Sequence, residues 1–335
     1  MNVKGENYGV VIACHRGDYR LAKGCIASIR RYCGEVPVCL LADGDFVTND
    51  AEQWHGVQVM RRADVGDPWL RQNSFGGWGY SHLIPFWEGP FDEFLYLDAD
   101  CVVLGDIVSR LRANGRGIVV PGTGRIIYDE RIIGEHWYDC ELVRTEFPEF
   151  DPIGRPFFCA GTFCGIRNTL DLDLYRRVFN LQKRSPGKSF HYGDQGLLNF
   201  LLFHAKDEGR APLYTVDYQQ FPSEMDKGAR QTAIQILQAE ASLLRAEHAM
   251  VLHYAQVKPT MFHAQDRAGG DGFLQRRFMP GRVWAEPMNA FRRDFAQPAS
   301  TARWLMNYAK MWAEDSVILF GAARNSITNK LLRSK

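Results

Sequence analysis

Two carboxylates in one short segment are spaced to act on a common ligand. Asp98 and Asp100 follow the apolar run 94–97 and precede a second apolar run, 101–104. In an extended backbone, alternate side chains lie on the same face, so both carboxylates can point at one ligand. Like charges this close are costly unless a cation or donors neutralise them. The pair predicts a site for a hard divalent ion such as Mn²⁺ or Mg²⁺, completed by water and substrate phosphates; an acidic turn after a strand is the alternative.

The elements that must position this pair follow from the alternation of apolar runs and helical spacing. Residues 8–14 and 36–41 have the composition of buried strands, and apolar residues recur at helical spacing over 19–32 between them. Strand, helix, strand at the start of a chain predicts an α/β fold with a mostly parallel, doubly wound sheet. Ligands of such sheets lie beyond the carboxyl ends of the strands. The polar residues that follow the predicted strands are His15, Asp18, Tyr19, Asp43, Asp98 and Asp100.

The rest of the chain continues this alternation. Further strands are predicted over 56–60, 117–121, 157–166 and 250–252, and helices over 75–88, 170–181, 194–205 and 224–248. Residues 122–157 are predicted to be irregular, and the glycine-rich segment 268–272 to be a mobile loop. We predict one domain over 1–265 and a C-terminal helical appendage over 266–335.

Composition excludes several classes of protein. The chain has 335 residues, 46% of them hydrophobic, and a net charge of +1, which gives no general attraction to nucleic acid. The N-terminus lacks the apolar region of a signal peptide, and no apolar run is long enough to span a membrane, so a cytoplasmic location is expected. None of the eight cysteines forms a Cys-x-x-Cys pair, which argues against zinc and favours reduced, buried thiols.

Three segments in order resemble the glycogenin-like glycosyltransferases of family 8, which include bacterial galactosyltransferases of lipopolysaccharide synthesis. They are Leu95-Tyr96-Leu97-Asp98-Ala99-Asp100 with Leu83-Ile84-Pro85 ahead of it, Gly193-Asp194-Gln195-Gly196-Leu197-Leu198-Asn199, and His253-Tyr254-Ala255-Gln256-Val257-Lys258-Pro259. The resemblance extends over residues 8–260. It implies a GT-A type, Rossmann-like nucleotide-diphospho-sugar transferase fold with helices on both faces of the sheet.

The resemblance also implies a metal-bound UDP-sugar. Asp98, Asp100 and His253 would hold Mn²⁺ (or Mg²⁺) on the donor diphosphate, and Lys258 would offset charge on the departing nucleotide. A packed histidine at a strand end is the alternative for His253.

Asp194 and Gln195 resemble the family residues beside the anomeric carbon, which implies transfer with retention of configuration. The carboxylate would stabilise or attack an oxocarbenium-like centre, and the amide would contact sugar or acceptor. Asp194 as a simple helix cap fits the same position. Four residues correspond to the nucleotide end of the family site: Ala13, His15, Tyr19 and Asp43. Tyr19 could stack on the base or pack within its helix.

The sequence departs from the family pattern in three places. The third segment is one residue shorter, lacks its glycine, and carries Thr260 where tryptophan is usual. The segment 158–161 reads Phe-Cys-Ala-Gly, so the family's asparagine is missing. The basic residue expected before the Asp strand is replaced by serine; the candidates to substitute for it are Ser81's neighbour His82, Arg71 and Arg125.

The expected substrates and partners follow from the same resemblance. A nucleotide-sugar half is expected over about 1–120 and an acceptor half over about 121–265, with a glycan, glycolipid or protein as acceptor and no nucleic acid. The inserted segment 224–248 would shape the acceptor site or cover the core. Residues 301–335 are aromatic and then basic, which fits peripheral contact with a membrane or a core helix with a solvated basic tail.

Two other functions compete with a UDP-sugar-dependent glycosyltransferase. A catalytically silent nucleotide-sugar or glycan-binding protein would explain the missing asparagine and tryptophan. An aspartyl-phosphate phosphatase also places Asp-x-Asp after a strand, but has no use for the other two segments.

Overall fold

The computed structural model describes residues 7–76, 80–122, 128–186, 189–191, 194–222, 224–225, 228–229, 231–233 and 246–255. These residues divide into two compact units. The first contains those within Met1–Tyr19, Glu35–Ala99 and Val108–Gln219, and the second those within Arg20–Gly34, Asp100–Ile107 and Gln220–Lys335.

The elements alternate between strands and helices along the described chain. The strands are β1 (Tyr8–His15), β2 (Val38–Asp43), β3 (Gln58–Arg61), β4 (Glu93–Asp98), β5 (Cys101–Leu104), β6 (Ile118–Pro121), β7 (Thr162–Ile166), β8 (Leu213–Val216), β9 (Gln219–Gln220) and β10 (Met250–His253). The helices are α1 (Tyr19–Tyr32), α2 (Asn49–His55), α3 (Pro68–Asn73), α4 (Pro85–Glu88), α5 (Ile107–Arg112), α6 (Glu130–His136), α7 (Cys140–Glu146), α8 (Leu172–Arg184) and α9 (Asp194–Asp207). Short 3₁₀ turns occupy Arg62–Asp64, Tyr80–Leu83 and Ala246–His248.

The first unit is built on a seven-stranded sheet in the order β3-β2-β1-β4-β7-β6-β8. The pairs β2–β3, β1–β2, β1–β4 and β6–β8 are parallel, whereas β7 runs antiparallel to both of its neighbours. β1, β2 and β4 are almost continuously apolar because parallel strands are covered on both faces. The predicted α/β fold with a mostly parallel central sheet is therefore confirmed.

Aromatic side chains fill much of the core of the first unit. Phe86, Phe94, Tyr96 and Phe163 are all at most 2% exposed. The Phe86 and Phe163 rings stack at 5.7 Å between centroids, and Tyr96 stacks on Phe163 at 4.9 Å. Such close packing fixes the position of each ring, because interiors leave few gaps in which a side chain can move.

The second unit joins a helix to a short antiparallel ladder. β5 and β10 pair so that His253 lies opposite Cys101 and Met250 opposite Leu104. The Val103 N–H donates to Ser28 Oγ at 3.0 Å, which ties β5 to α1.

Several predicted elements differ from those observed. The helix predicted over 75–88 is found in part: among the described residues of this stretch, a 3₁₀ turn covers Tyr80–Leu83 and α4 covers Pro85–Glu88, where Pro85 has no N–H to continue the hydrogen bonds of the turn. The irregular region predicted over 122–157 contains α6 and α7, each begun by an aspartate that accepts a backbone N–H.

Other elements were not predicted, and some predicted segments lie outside the described residues. α2 and β8 were not predicted; β8 alternates little and is half exposed, which hides it from a search for buried strands. Most of 224–248, all of 268–272 and the segment 301–335 lie outside the described residues. Among those described, no helix combines the length and apolar character that crossing a bilayer requires.

Candidate functional site

Sequence-predicted residues meet at the carboxyl ends of the parallel strands in the first unit. Ala13 lies opposite Leu41 of β2 and opposite Asp98 of β4, and His15 lies opposite Asp43. The chain runs from β1 outward to β3 on one side and places β4 on the other, so the strand order reverses between β1 and β4. Open α/β sheets bind ligands at such a reversal, because the two flanking connections leave a crevice there.

The residues predicted for the nucleotide lie at an exposed end of this edge. His15 Nε2 is 3.3 Å from Asp18 Oδ2, and both side chains are largely in solvent. Tyr19 packs its ring against Phe46 at 5.3 Å between centroids. The Gly76 N–H donates to Asp43 Oδ1 at 2.9 Å. This end therefore offers polar groups and one aromatic face.

Asp98 is held from behind by its own strand. The Tyr96 hydroxyl donates to Asp98 Oδ1 at 2.7 Å, and the Asp98 N–H donates to the Gly161 carbonyl at 2.8 Å. Tyr96 and Asp98 share one face of β4 because they are two residues apart. A carboxylate that accepts a hydrogen bond from its own strand keeps a fixed direction.

In the second unit, Asp100 and His253 lie side by side. His253 Nε2 is 3.4 Å from Asp100 Oδ1, and both residues are buried. The Tyr254 N–H donates to the Asp100 carbonyl at 3.1 Å. Cys101 adds a sulfur, and one ligand atom from each of these three side chains lies within 4.8 Å of the others. A buried carboxylate beside an imidazole is a donor set suited to a divalent ion.

Asp194 is the first residue of α9, where the helix dipole stabilises a negative charge. Its Oδ2 is 3.1 Å from Nδ1 of His82, which is 1% exposed. Gln195 Nε2 donates to the His136 carbonyl at 3.3 Å. Of the three substitutes considered for the missing basic residue, His82 is the one that the structure places at the predicted catalytic carboxylate.

The start of α9 is fixed by its neighbours on both sides. Asn199 accepts from the Phe158 N–H at 3.1 Å and donates to the Phe158 carbonyl at 3.0 Å, which fastens α9 to the segment that departs from the family pattern. Gly196 packs so tightly that a Cβ there would lie 1.8 Å from the Trp137 carbonyl oxygen. Only glycine fits this contact without displacing the backbone.

Tyr80, which is half-buried, and the buried Tyr175 are poor acids near Asp194. Burial raises the pKa of Tyr80, and the negative charge of Asp194 raises it further. Burial, with a smaller contribution from Tyr80 and Asp194, also raises the pKa of Tyr175. Both phenols therefore remain neutral at physiological pH and do not compete with Asp194 for a cation.

Among the described residues, the structure does not bring the other substitutes to the site, and it adds two residues that were not predicted. Arg71 donates to the carbonyls of Val65 and Gly66, while Arg125 and Lys258 lie outside the described residues. Tyr96 and Cys101 were not predicted as site residues. Tyr96 could have been predicted from its two-residue spacing to Asp98. Cys101 could not, because its position beside His253 depends on pairing with a strand distant in the sequence.

Comparisons with known proteins found solved structures that are similar at low sequence identity. No family model matches the chain, and no curated protein matches it. The glycosyltransferase GlyE of Streptococcus pneumoniae TIGR4 is 19% identical, with 76% of this chain and 56% of that one covered and a TM-score of 0.43. The bifunctional glycosyltransferase WbbM is 13% identical, with 88% and 53% covered and a TM-score of 0.48.

A third structure is glucosyl-3-phosphoglycerate synthase of Mycobacterium tuberculosis, solved with Mn²⁺, UDP and phosphoglyceric acid. It is 16% identical, with 63% of this chain and 68% of that one covered and a TM-score of 0.37. The chain thus spans little more than half the length of GlyE and WbbM. None of the three reaches a TM-score of 0.5, so the fold class rests on the strand order and pairing described above.

Proposed function

We propose that this protein is a metal-dependent, retaining glycosyltransferase that moves a hexose from a UDP-sugar to a carbohydrate or lipid-linked acceptor. The observation that carries this proposal is the position of Asp98. It ends β4 at the reversal of strand order, opposite Ala13 of β1, where open α/β sheets bind their ligands. A carboxylate at this point suits a cation that accompanies a diphosphate better than it suits an uncharged ligand.

The proposed metal ligands are Asp98, Asp100 and His253. The close approach of Asp100 and His253 supports such an ion, because a buried carboxylate beside an imidazole offers oxygen and nitrogen ligands at one point. Asp98 is included because it lies two residues before Asp100 in the sequence. When bound, the ion would neutralise charge that develops on the departing diphosphate. Mn²⁺ is the first choice, since imidazole with carboxylates suits it better than Ca²⁺.

The remaining proposed roles belong to residues of the first unit and to Lys258, which would offset charge on the departing nucleotide. The uridine would bind at the exposed end of the strand edge, in contact with Ala13, His15, Tyr19 and Asp43. Asp194 would stabilise or attack the anomeric carbon, and Gln195 would contact sugar or acceptor. His82 contacts Asp194 through Oδ2, and among the described residues no hydrogen bond to Oδ1 is seen that would prevent this role.

Calorimetric titration with a panel of nucleoside diphosphates and their sugars tests the proposal, with Mn²⁺ and with a chelator. We expect one uridine nucleotide to bind in a Mn²⁺-dependent manner, and Asp100→Ala to abolish that binding. Asp173→Ala, which removes a carboxylate that is 85% exposed on α8, is the matched control and should bind as the wild type does. Absence of binding to every member of the panel would contradict the proposed site.

Turnover separates an enzyme from a silent binding protein. Slow Mn²⁺-dependent hydrolysis of the bound UDP-sugar without acceptor is expected, and proton NMR of the released sugar should show the donor's anomeric configuration first. Tight binding without hydrolysis or transfer would favour the binding protein. Release of phosphate from simple phosphomonoesters would favour a phosphatase.

A further inference from the structure

A buried histidine and two aromatic rings form a series of contacts that links the carboxylate of Asp194 to that of Asp98. The His82 ring lies 5.3 Å from the Tyr96 ring and 5.9 Å from the Phe163 ring, and Tyr96 stacks on Phe163 at 4.9 Å. We refer to these three residues as the aromatic trio. One member, His82, contacts Asp194, and another, Tyr96, donates to Asp98.

The contact between His82 and Asp194 has a defined chemistry. Nδ1 faces the carboxylate, whereas Nε2 is buried and has no hydrogen-bond partner among the described residues. A proton on Nε2 would be a buried donor without an acceptor, which is costly. The arrangement therefore favours Nδ1–H as the donor to Asp194. A rigid ring that donates through one nitrogen orients the carboxylate more strictly than the flexible side chain of a lysine would.

We infer that His82 is a positioning residue, which fixes the direction of the Asp194 carboxylate, and that the aromatic trio sets the spacing between Asp194 and Asp98. This inference rests on the proposed function for the meaning of that spacing. A packed trio of rings can hold such a spacing because its members cannot shift without opening a cavity. The carboxylate that meets the anomeric carbon and the carboxylate at the diphosphate would then keep a fixed separation through the reaction.

Two substitutions at His82 separate the hydrogen bond from the packing. His82→Phe keeps a ring against Tyr96 and Phe163 but removes the Nδ1–H donor. His82→Asn removes the ring but keeps an N–H donor at nearly the same distance from the backbone. With the donor sugar that the calorimetric panel identifies, kcat and KM are measured for each variant.

If His82 positions Asp194, His82→Phe lowers kcat about 10- to 100-fold with little change in the donor KM. His82→Asn keeps most of the wild-type kcat, even though the melting temperature of this variant falls. If His82 only fills space, the order reverses: His82→Phe keeps wild-type kcat and His82→Asn loses the most. That reversed order would overturn the inference.

His204 supplies a matched control on the same helix as Asp194. It is also a nearly buried histidine with a carboxylate neighbour, its Nδ1 lying 3.6 Å from Glu208, and it packs on Phe150 and Phe200. His204→Phe should leave both kcat and KM unchanged.

A measurement without turnover keeps this inference distinct from the proposed function. In protein labelled with ¹⁵N-histidine, Asp194→Ala should shift the ring nitrogen resonances of His82 and leave those of His204 in place. Unmoved His82 resonances would overturn the inference even in an active enzyme. Shifted resonances in a protein that turns over no UDP-sugar would support the contact and contradict the function.

Discussion

The two ends of the carboxyl edge in the first unit are held in opposite ways. At the Asp194 end, His82 is 1% exposed and its ring packs in the aromatic trio. At the β1–β2 end, the side chains of His15 and Asp18 are 62% and 40% exposed, and the pair is one surface contact. Packing fixes the first end, whereas the second is partly open to solvent.

This difference separates two tasks that one site must perform. A group that acts on a reacting atom must be held within a fraction of an ångström, because small misplacements cost much of the rate. A group that binds a nucleotide can adapt its position, because exposed ion pairs contribute little energy in any single geometry. We therefore expect substitutions at the buried end to lower kcat and those at the exposed end to raise KM.

The largest effect is expected from Asp194→Asn. Losing the charge beside the anomeric carbon should lower kcat about 10²- to 10³-fold, the range measured for electrostatic stabilisation of transition states. The affinity for UDP, measured by calorimetry, should be unchanged. Asp43→Asn at the exposed end should show the opposite pattern, with a raised donor KM and an unchanged kcat. A fall in UDP affinity in Asp194→Asn would contradict the division of tasks.

Tyr96→Phe tests whether the aromatic trio matters for the metal. The substitution keeps the ring on Phe163 and removes the hydroxyl that orients Asp98. We expect the Mn²⁺ concentration for half-maximal activity to rise about 10-fold or more, as with other partners of metal ligands. Tyr138→Phe is the control, because that hydroxyl is buried with no hydrogen-bond partner among the described residues. If both variants reach half-maximal activity at the same Mn²⁺ concentration, the Tyr96 hydroxyl does not affect metal binding.

Tyr19→Ala probes the exposed end more gently. If the ring stacks on the base, its loss should weaken UDP binding about 2- to 10-fold, the value of one aromatic contact. The kcat of the loaded enzyme should stay the same. Unchanged UDP affinity would instead mean that Tyr19 serves only to pack against Phe46.

Three buried thiols in strands of the first unit predict a pH dependence of stability that appears only in alkali. Burial raises the pKa of Cys39 and of Cys164 to about 12, and burial with the charges of Asp18 and Asp43 does the same for Cys14. In the unfolded chain these thiols lose their protons near pH 8.5, whereas the folded protein keeps them. Their contribution to stability is therefore complete below that pH and is lost as pH rises toward 12.

Urea unfolding under reducing conditions measures this loss. Between pH 9 and pH 11, the free energy of unfolding should fall by at most about 1.4 kcal/mol per pH unit for each thiol. Cys39→Ala should have a shallower slope than the wild type. A stability that is flat up to pH 11 would contradict the raised pKa values.

The sequence predicts the strands of the exposed end better than the contacts of the buried end. β1, β2 and β4 were predictable because strands covered on both faces are continuous apolar runs, and their polar ends were predictable with them. The contact between His82 and Asp194 was not, since it joins residues far apart in the chain. The helices α6 and α7 could have been found from Asp129 and Asp139, which cap them.

Gly196 has a consequence for how chains of this kind can diverge. The Trp137 carbonyl occupies the space of any side chain at that position, so mutational drift can change the surroundings but not the glycine. Exposed positions such as Asp18 carry no comparable restriction. Distant homologues should therefore be recognisable by glycine immediately after the Asp194-Gln195 pair, even where identity has fallen too low for an alignment. A chain that keeps the pair but carries a larger residue next must have rebuilt the backbone around Trp137.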